Sequence, residues 1–120
     1  MKTEKTLQKA VNQYLKITHY PYIRIPDEIY RVCFASKNVP AHLKKIIADH
    51  IAGLPDNIIA IPIGEKFFIG CAIELKSPKG KLSKKQKEYQ KIFNTNVIRN
   101  IEGLIELLSE LKQFVKGKGV

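Results

Sequence analysis

The chain has 120 residues, 44% of them hydrophobic, with a formal net charge of +10. That size allows one domain with one modest core. No apolar run approaches the roughly 18 residues of a membrane-spanning helix, and the N-terminal MKTEKTLQKA lacks the apolar stretch of a signal peptide, so a soluble cytosolic protein is expected.

Residues 4–17 place Leu7, Ala10, Val11, Tyr14 and Leu15 at three- and four-residue steps, the spacing of an amphipathic helix, with Thr3 as its cap. Tyr20 to Ile25 reads as a short strand, broken by Pro26-Asp27. A short helix through Phe34, a loop over 36–40 and a second helix over 41–52 form a helical insert at about 26–52. In that second helix His50 shares the apolar side with Leu43, Ile46 and Ile47, which predicts a buried imidazole. Gly53 is a suitable stop. Two strands follow, Asp56–Ile63 and Lys66–Lys76, joined by a tight turn at Gly64-Glu65. Ser83 opens a helix to about Phe93, in which Tyr89 and Phe93 read as core. Asn96–Arg99 is short enough for a last buried strand. Residues 101–115 carry Leu104, Leu108, Leu111 and Val115 on one helical stripe, and 116–120 read as a loose tail. The element order is helix, strand, helical insert, hairpin, helix, strand, helix, with a single domain over 1–120.

The hairpin carries the chemistry. A turn centred near residue 65 makes antiparallel partners sum to about 130, so Asp56 faces Glu74, with Cβ atoms ~5 Å apart. Side chains alternate between faces. The odd positions Phe67, Ile69, Cys71, Ile73 and Leu75, with Ile59, Ile61 and Ile63, are apolar and are expected to face the core. The even positions carry Asp56, Gly70, Ala72, Glu74 and Lys76. Two carboxylates and a lysine therefore share one face. Adjacent carboxylates repel, and a hard divalent cation such as Mg²⁺ relieves the repulsion while keeping coordination positions for water and phosphate. A cation, a water and a neighbouring lysine are the parts needed to hydrolyse a phosphodiester.

The basic charge is concentrated beside this face. Seven lysines (76, 79, 81, 84, 85, 87 and 91) lie between Lys76 and Lys91, against one acid, Glu88. Lys79, Lys81, Lys84, Lys85 and Lys87 are the candidate DNA contacts, since a basic stripe suits a polyanion. The duller reading is a solvated lysine face. Cys33 and Cys71 are the only cysteines, and neither sits in a Cys/His cluster, so zinc is not expected. Ser83 with Gln86 forms an S-x-x-Q capping box, and Gln86 has either that role or a role in the site. Glu4 is either a first-turn acid favoured by the helix dipole or a site residue. Pro26-Asp27 is a rival Pro-Asp pair without a Glu-x-Lys strand at hairpin distance.

These residues resemble the VRR-NUC branch of the PD-(D/E)xK nuclease superfamily, in its small stand-alone phage and bacterial form. Gly53-Leu54-Pro55-Asp56 resembles the family's G-x-P-D. Ile73-Glu74-Leu75-Lys76 followed by Ser77-Pro78-Lys79-Gly80-Lys81-Leu82-Ser83 resembles E-[VL]-K-x-P-x-G-x-L-S. Gln86 matches the family glutamine, Tyr89 sits where an aromatic is usual, and Glu4 with Leu7 and Gln8 resembles the first-helix pattern. The resemblance implies a restriction-endonuclease-like αβββαβ core, a central mixed sheet flanked by helices, and Mg²⁺- or Mn²⁺-dependent endonucleolytic hydrolysis of DNA. It also implies a homodimer acting on branched DNA such as Holliday junctions. Asp56 and Glu74 would bind metal with the Leu75 carbonyl, Lys76 would position or activate water, Gln86 would support the site, and Glu4 would be an outer metal or water ligand. Three departures stand out. Asn57 replaces a usual aliphatic residue, the glycine turn expected after Phe93 is absent, and the 26–52 insert is long. A non-catalytic basic nucleic-acid-binding module, with the acids and lysine as a structural ion-pair cluster, is the alternative reading. Nothing positive favours the third, a toxin- or phage-type partner protein.

Overall fold

A computed structural model describes residues 3–25, 27–50 and 53–117, with 27–30 as backbone only. Its elements are α1 (Glu4–Ile17), β1 (Tyr22–Arg24), α2 (Asp27–Ala35), α3 (Ala41–His50), β2 (Asn57–Ile63), β3 (Phe67–Leu75), α4 (Lys84–Phe93), β4 (Asn96–Ile98) and α5 (Ile101–Gly117). The order is the expected one. Pro26, part of the rival Pro-Asp pair, and residues 51, 52 and 118–120 lie outside the described residues. The last helix continues two residues beyond its predicted end.

The strands form one mixed sheet in the order β1-β2-β3-β4. β1 and β3 run antiparallel to β2, and β4 runs parallel to β3. The β2–β3 register pairs Asn57 with Ile73 and Ile63 with Phe67, so partners sum to 130. Gly64, at φ +63°, supplies the left-handed residue the tight turn requires.

The odd face of the hairpin packs on α1 and α5. Leu7, Val11 and Leu15 from α1 meet Ile59, Ile73, Leu75, Ile98 and the Leu104–Leu108–Leu111 stripe of α5 in one core. The sum rule fails to bury the hairpin tip, where Phe67 is 75% exposed. Phe67 lies beside the turn at the end of the ribbon, and no member of the core cluster comes from that end.

The insert departs most from expectation. α3 buries none of its residues, Ile46 and Leu43 remain largely exposed, and His50 is exposed rather than enclosed. The helical stripe is present, but the main neighbour of α3 is α2. Tyr89 is half-buried, while Phe93 is exposed and stacks on it at a tilt, ring centroids 5.9 Å apart. The glycine that the 93–96 turn lacks is replaced by Asn94, left-handed at φ 51°, a conformation asparagine tolerates better than other side chains. Among the described residues no helix is long and apolar enough to cross a membrane.

Candidate active site

The chain enters β2 through Gly53-Leu54-Pro55-Asp56. Gly53 has φ +85°, and a Cβ there would stand 2.9 Å from the Tyr89 ring, so a glycine is needed for both conformation and space. Pro55 is buried, and Asp56 stands one residue ahead of the strand. The 130 register, extended by one pair, brings it opposite Glu74, and the hydrogen bonds follow. The Asp56 N–H donates to Glu74 Oε2 at 3.2 Å, and the Leu75 N–H donates to Asp56 Oδ2 at 2.6 Å. The Asp56 carbonyl accepts from the Ile25 N–H of the β1 edge at 2.8 Å.

Glu74 is only 4% exposed. Its other oxygen, Oε1, accepts from Gln86 Nε2 at 2.6 Å. Gln86 is also the third helical residue of α4 and completes the capping box. Ser83 Oγ accepts from the Gln86 N–H at 3.1 Å, and Gln86 Oε1 accepts from the Ser83 N–H at 2.9 Å. The two roles weighed for Gln86 are thus compatible. The cap occupies its carbonyl oxygen and leaves the amide nitrogen for Glu74.

Lys76 places its ammonium 4.0 Å from Glu74 Oε1 and 3.9 Å from Glu4 Oε1. Burial, and then the neighbouring Asp56 charge, pushes the Glu74 carboxyl up to about 8; Lys76 and the hydrogen bond from the Asp56 backbone pull the other way but do not offset it. An acid held above neutrality beside a second acid is a site short of positive charge. That shortage is what a divalent cation between Asp56 and Glu74 would correct, and the oxygen-only donor set suits Mg²⁺ or Mn²⁺. Glu4 meets Lys76 instead of completing a three-acid set. Among the described residues no group of three or more His, Cys, Asp or Glu converges.

Several residues around the pair carry no local sequence signal. Asn57, which the strand pattern marks as a weakness, is fully buried. Its amide pairs reciprocally with Gln8 of α1 at 3.3 and 3.4 Å, and Gln8 also donates to Asn12 at 2.7 Å. This polar tie pins α1 to the strand next to Asp56. Arg99, just after β4, donates to the carbonyls of Ser77 at 2.7 Å and Gly80 at 2.8 Å, bracing the loop after Lys76. Gly80 sits close to Glu4 in that loop. Their only advance notice is residue type: an amide at a core parity and an arginine where the last strand ends.

Of the predicted DNA contacts, Lys79, Lys81, Lys84 and Lys87 are exposed. Lys85 is turned inward, its ammonium donating to the Ala48 carbonyl at 2.5 Å, and ties α4 to α3. Lys85 occupies the α4 face that packs against Gly53.

Comparison of the chain with family models, with curated proteins and with solved structures gave no match in any of the three.

Proposed function

We propose that this protein is a metal-dependent DNA endonuclease, VRR-NUC-like and of restriction-endonuclease-like architecture, with Asp56, Glu74, Lys76 and Gln86 as its working residues. The observation that carries this reading is the locked pair: Asp56 at the entry to β2 and Glu74 on β3, each carboxylate bonded to the backbone of the other's segment, with the Lys76 ammonium 4.0 Å from Glu74. Asp56 and Glu74 would hold Mg²⁺ or Mn²⁺, together with the Leu75 carbonyl, and Glu4 would act from outside through Lys76. When bound, the metal supplies Lewis-acid activation of water and charge neutralisation at the phosphate. The chain itself does the rest. Gln86 fixes the Glu74 carboxylate by its amide nitrogen. Lys76 offers a donor at the edge of the pair, where charge builds on the phosphate oxygens as water attacks phosphorus and one P–O ester bond breaks.

The proposal includes a homodimer joined through the insert or α5 and a preference for branched DNA. Exposed Val32, Leu43 and Ile46 on the insert support such a contact. A light-scattering mass of one chain would remove that part of the proposal.

The alternative, a basic binding module with a structural acid–lysine cluster, is favoured by one observation. Both Glu74 oxygens already accept protein hydrogen bonds. Cleavage of a mobile four-way junction and of linear duplex, with Mg²⁺, Mn²⁺ or EDTA and with Lys76→Ala alongside, separates the two. The nuclease reading expects metal-dependent cutting by the wild type alone. Salt-sensitive binding with no turnover in any metal would establish the binding module instead.

A further inference from the structure

The lysines that follow Lys76 are not the basic surface that opens onto Asp56. Asp56 and Leu75 line a cleft of ≈590 Å³ at the end of the sheet where β2 starts and β3 finishes. Its walls come from α1, from the end of β1 and from α2. Among the described residues, four cationic side chains, Lys5, Lys9, Arg24 and Arg31, line it against two acids, Glu4 and Asp56. Helical spacing explains the α1 contribution. Leu7, Val11 and Leu15 turn inward, Glu4, Gln8 and Asn12 follow on the next row, and Lys5 with Lys9 form the outer rim. Lys5 and Lys9 are one turn apart, roughly 6 Å along the axis, comparable to the step between neighbouring phosphates on one strand.

The two acids face different spaces: Asp56 lines the cleft, and Glu74 does not. On the other flank Pro55, Glu74, Gln86 and Val97 enclose a gap with no room for a water molecule. Of the pair, Asp56 is therefore the member that a ligand seated in the α1–β1 cleft would meet. None of Lys79, Lys81, Lys84, Lys85 and Lys87 lines that cleft.

We propose that the α1–β1 cleft is the track for the nucleic-acid backbone, with Lys5, Lys9 and Arg24 neutralising the phosphates that flank the one to be cut. The lysines of α4 and its preceding loop then act only as a distant attraction. This assignment rests on the nuclease reading for the identity of the polyanion.

The test uses the full chain and labelled duplex and four-way-junction DNA in EDTA, with binding followed by anisotropy as salt is raised. Lys5→Gln/Lys9→Gln is compared with Lys84→Gln/Lys87→Gln. All four positions are exposed, and melting temperatures check that the variants are folded. Each lost phosphate contact lowers the slope of log K against log salt by about 0.9. The Lys5/Lys9 pair is expected to lower it by about 1.8, and the Lys84/Lys87 pair by less than half as much. The reverse pattern, or no salt-dependent binding by the wild type, overturns the assignment. DNA that is bound with the expected slopes but never cut in Mg²⁺ or Mn²⁺ defeats the hydrolase reading and leaves the cleft assignment standing.

Discussion

Gln86 donates its amide nitrogen to Glu74 Oε1 at 2.6 Å, while the same amide's oxygen is occupied by the Ser83 N–H at 2.9 Å. A helix cap therefore aims a side chain at a strand residue. Because the cap uses one end of the amide, the other end can only donate. Gln86 cannot turn its oxygen toward Glu74 without breaking the first turn of α4.

Replacing Gln86 with Glu removes the donor and sets a third negative group beside the pair. Cleavage is expected to fall by roughly 10–100-fold, the usual range for a group that orients a metal ligand. Gln86→Ala should fall within the same range but bind Mn²⁺ more weakly than Gln86→Glu, whose added carboxylate attracts the cation. Ser83→Ala should cost about 1 kcal/mol in stability, the ordinary loss for a helix cap. Single-turnover cleavage and chemical unfolding measure the two effects. Full activity in Gln86→Glu would reduce the contact to packing.

The buried acid makes stability depend on pH. Glu74 ionises at about 8 when folded, against an ordinary value of 4.5. Between those values the folded chain keeps a proton that the unfolded chain has lost. The contribution is fully present below 4.5 and is lost as pH rises towards 8, a decline on the order of 2–4 kcal/mol. Glu74→Gln should flatten that decline. Urea unfolding from pH 4 to 9 checks it, and an unchanged profile in the variant would mean that another group sets the slope.

If the pair holds a cation, metal and proton compete for it. Excess Mn²⁺ should raise the melting temperature of the wild type, and more so above pH 8 than at pH 6. Asp56→Asn should abolish the shift. Calorimetric scans with and without Mn²⁺ read this without any cleavage assay. A shift of equal size in Asp56→Asn would place the ion elsewhere.

The Gln8–Asn57 pair predicts a coupling between two residues far apart in sequence. Asn57→Leu alone strands the Gln8 amide oxygen and should cost about 1–3 kcal/mol, as should Gln8→Met alone. The double variant should lose less than the sum of the two, because neither Asn57 nor Gln8 is left facing a missing partner. A four-way unfolding cycle gives the coupling energy. Strict additivity would show that the pair does not interact.

The hairpin was legible because its rules are local. A strict period of two, a short glycine turn and a Gly-x-Pro entry determine which residues face each other, and Asp56 and Glu74 meet as that count requires. The Ser83–Gln86 cap was equally readable, since its partners are three residues apart. What escaped depends on how separate elements come together. The stripe on α3 promised burial, but a stripe does not say whether a neighbour covers it, and α3 meets α2. Asn57 looked out of place because its partner Gln8 lies 49 residues away. Lys85 read as one of a solvated row until α4 docked it against Ala48. Lys5 and Lys9 were visible as charges, and only the placement of α1 beside Asp56 makes them the rim of a cleft.

Asp56 sits outside the regular ladder, yet its N–H, its carbonyl and its carboxylate are each fastened, to Glu74, Ile25 and Leu75 respectively. Its orientation is therefore settled when the protein folds and does not wait for a ligand to arrive. Ile25, directly after the three-residue edge strand β1, supplies one of those fastenings. Fraying of that edge would loosen the carboxylate before the core melted, so chemistry should fail at a lower temperature than the fold.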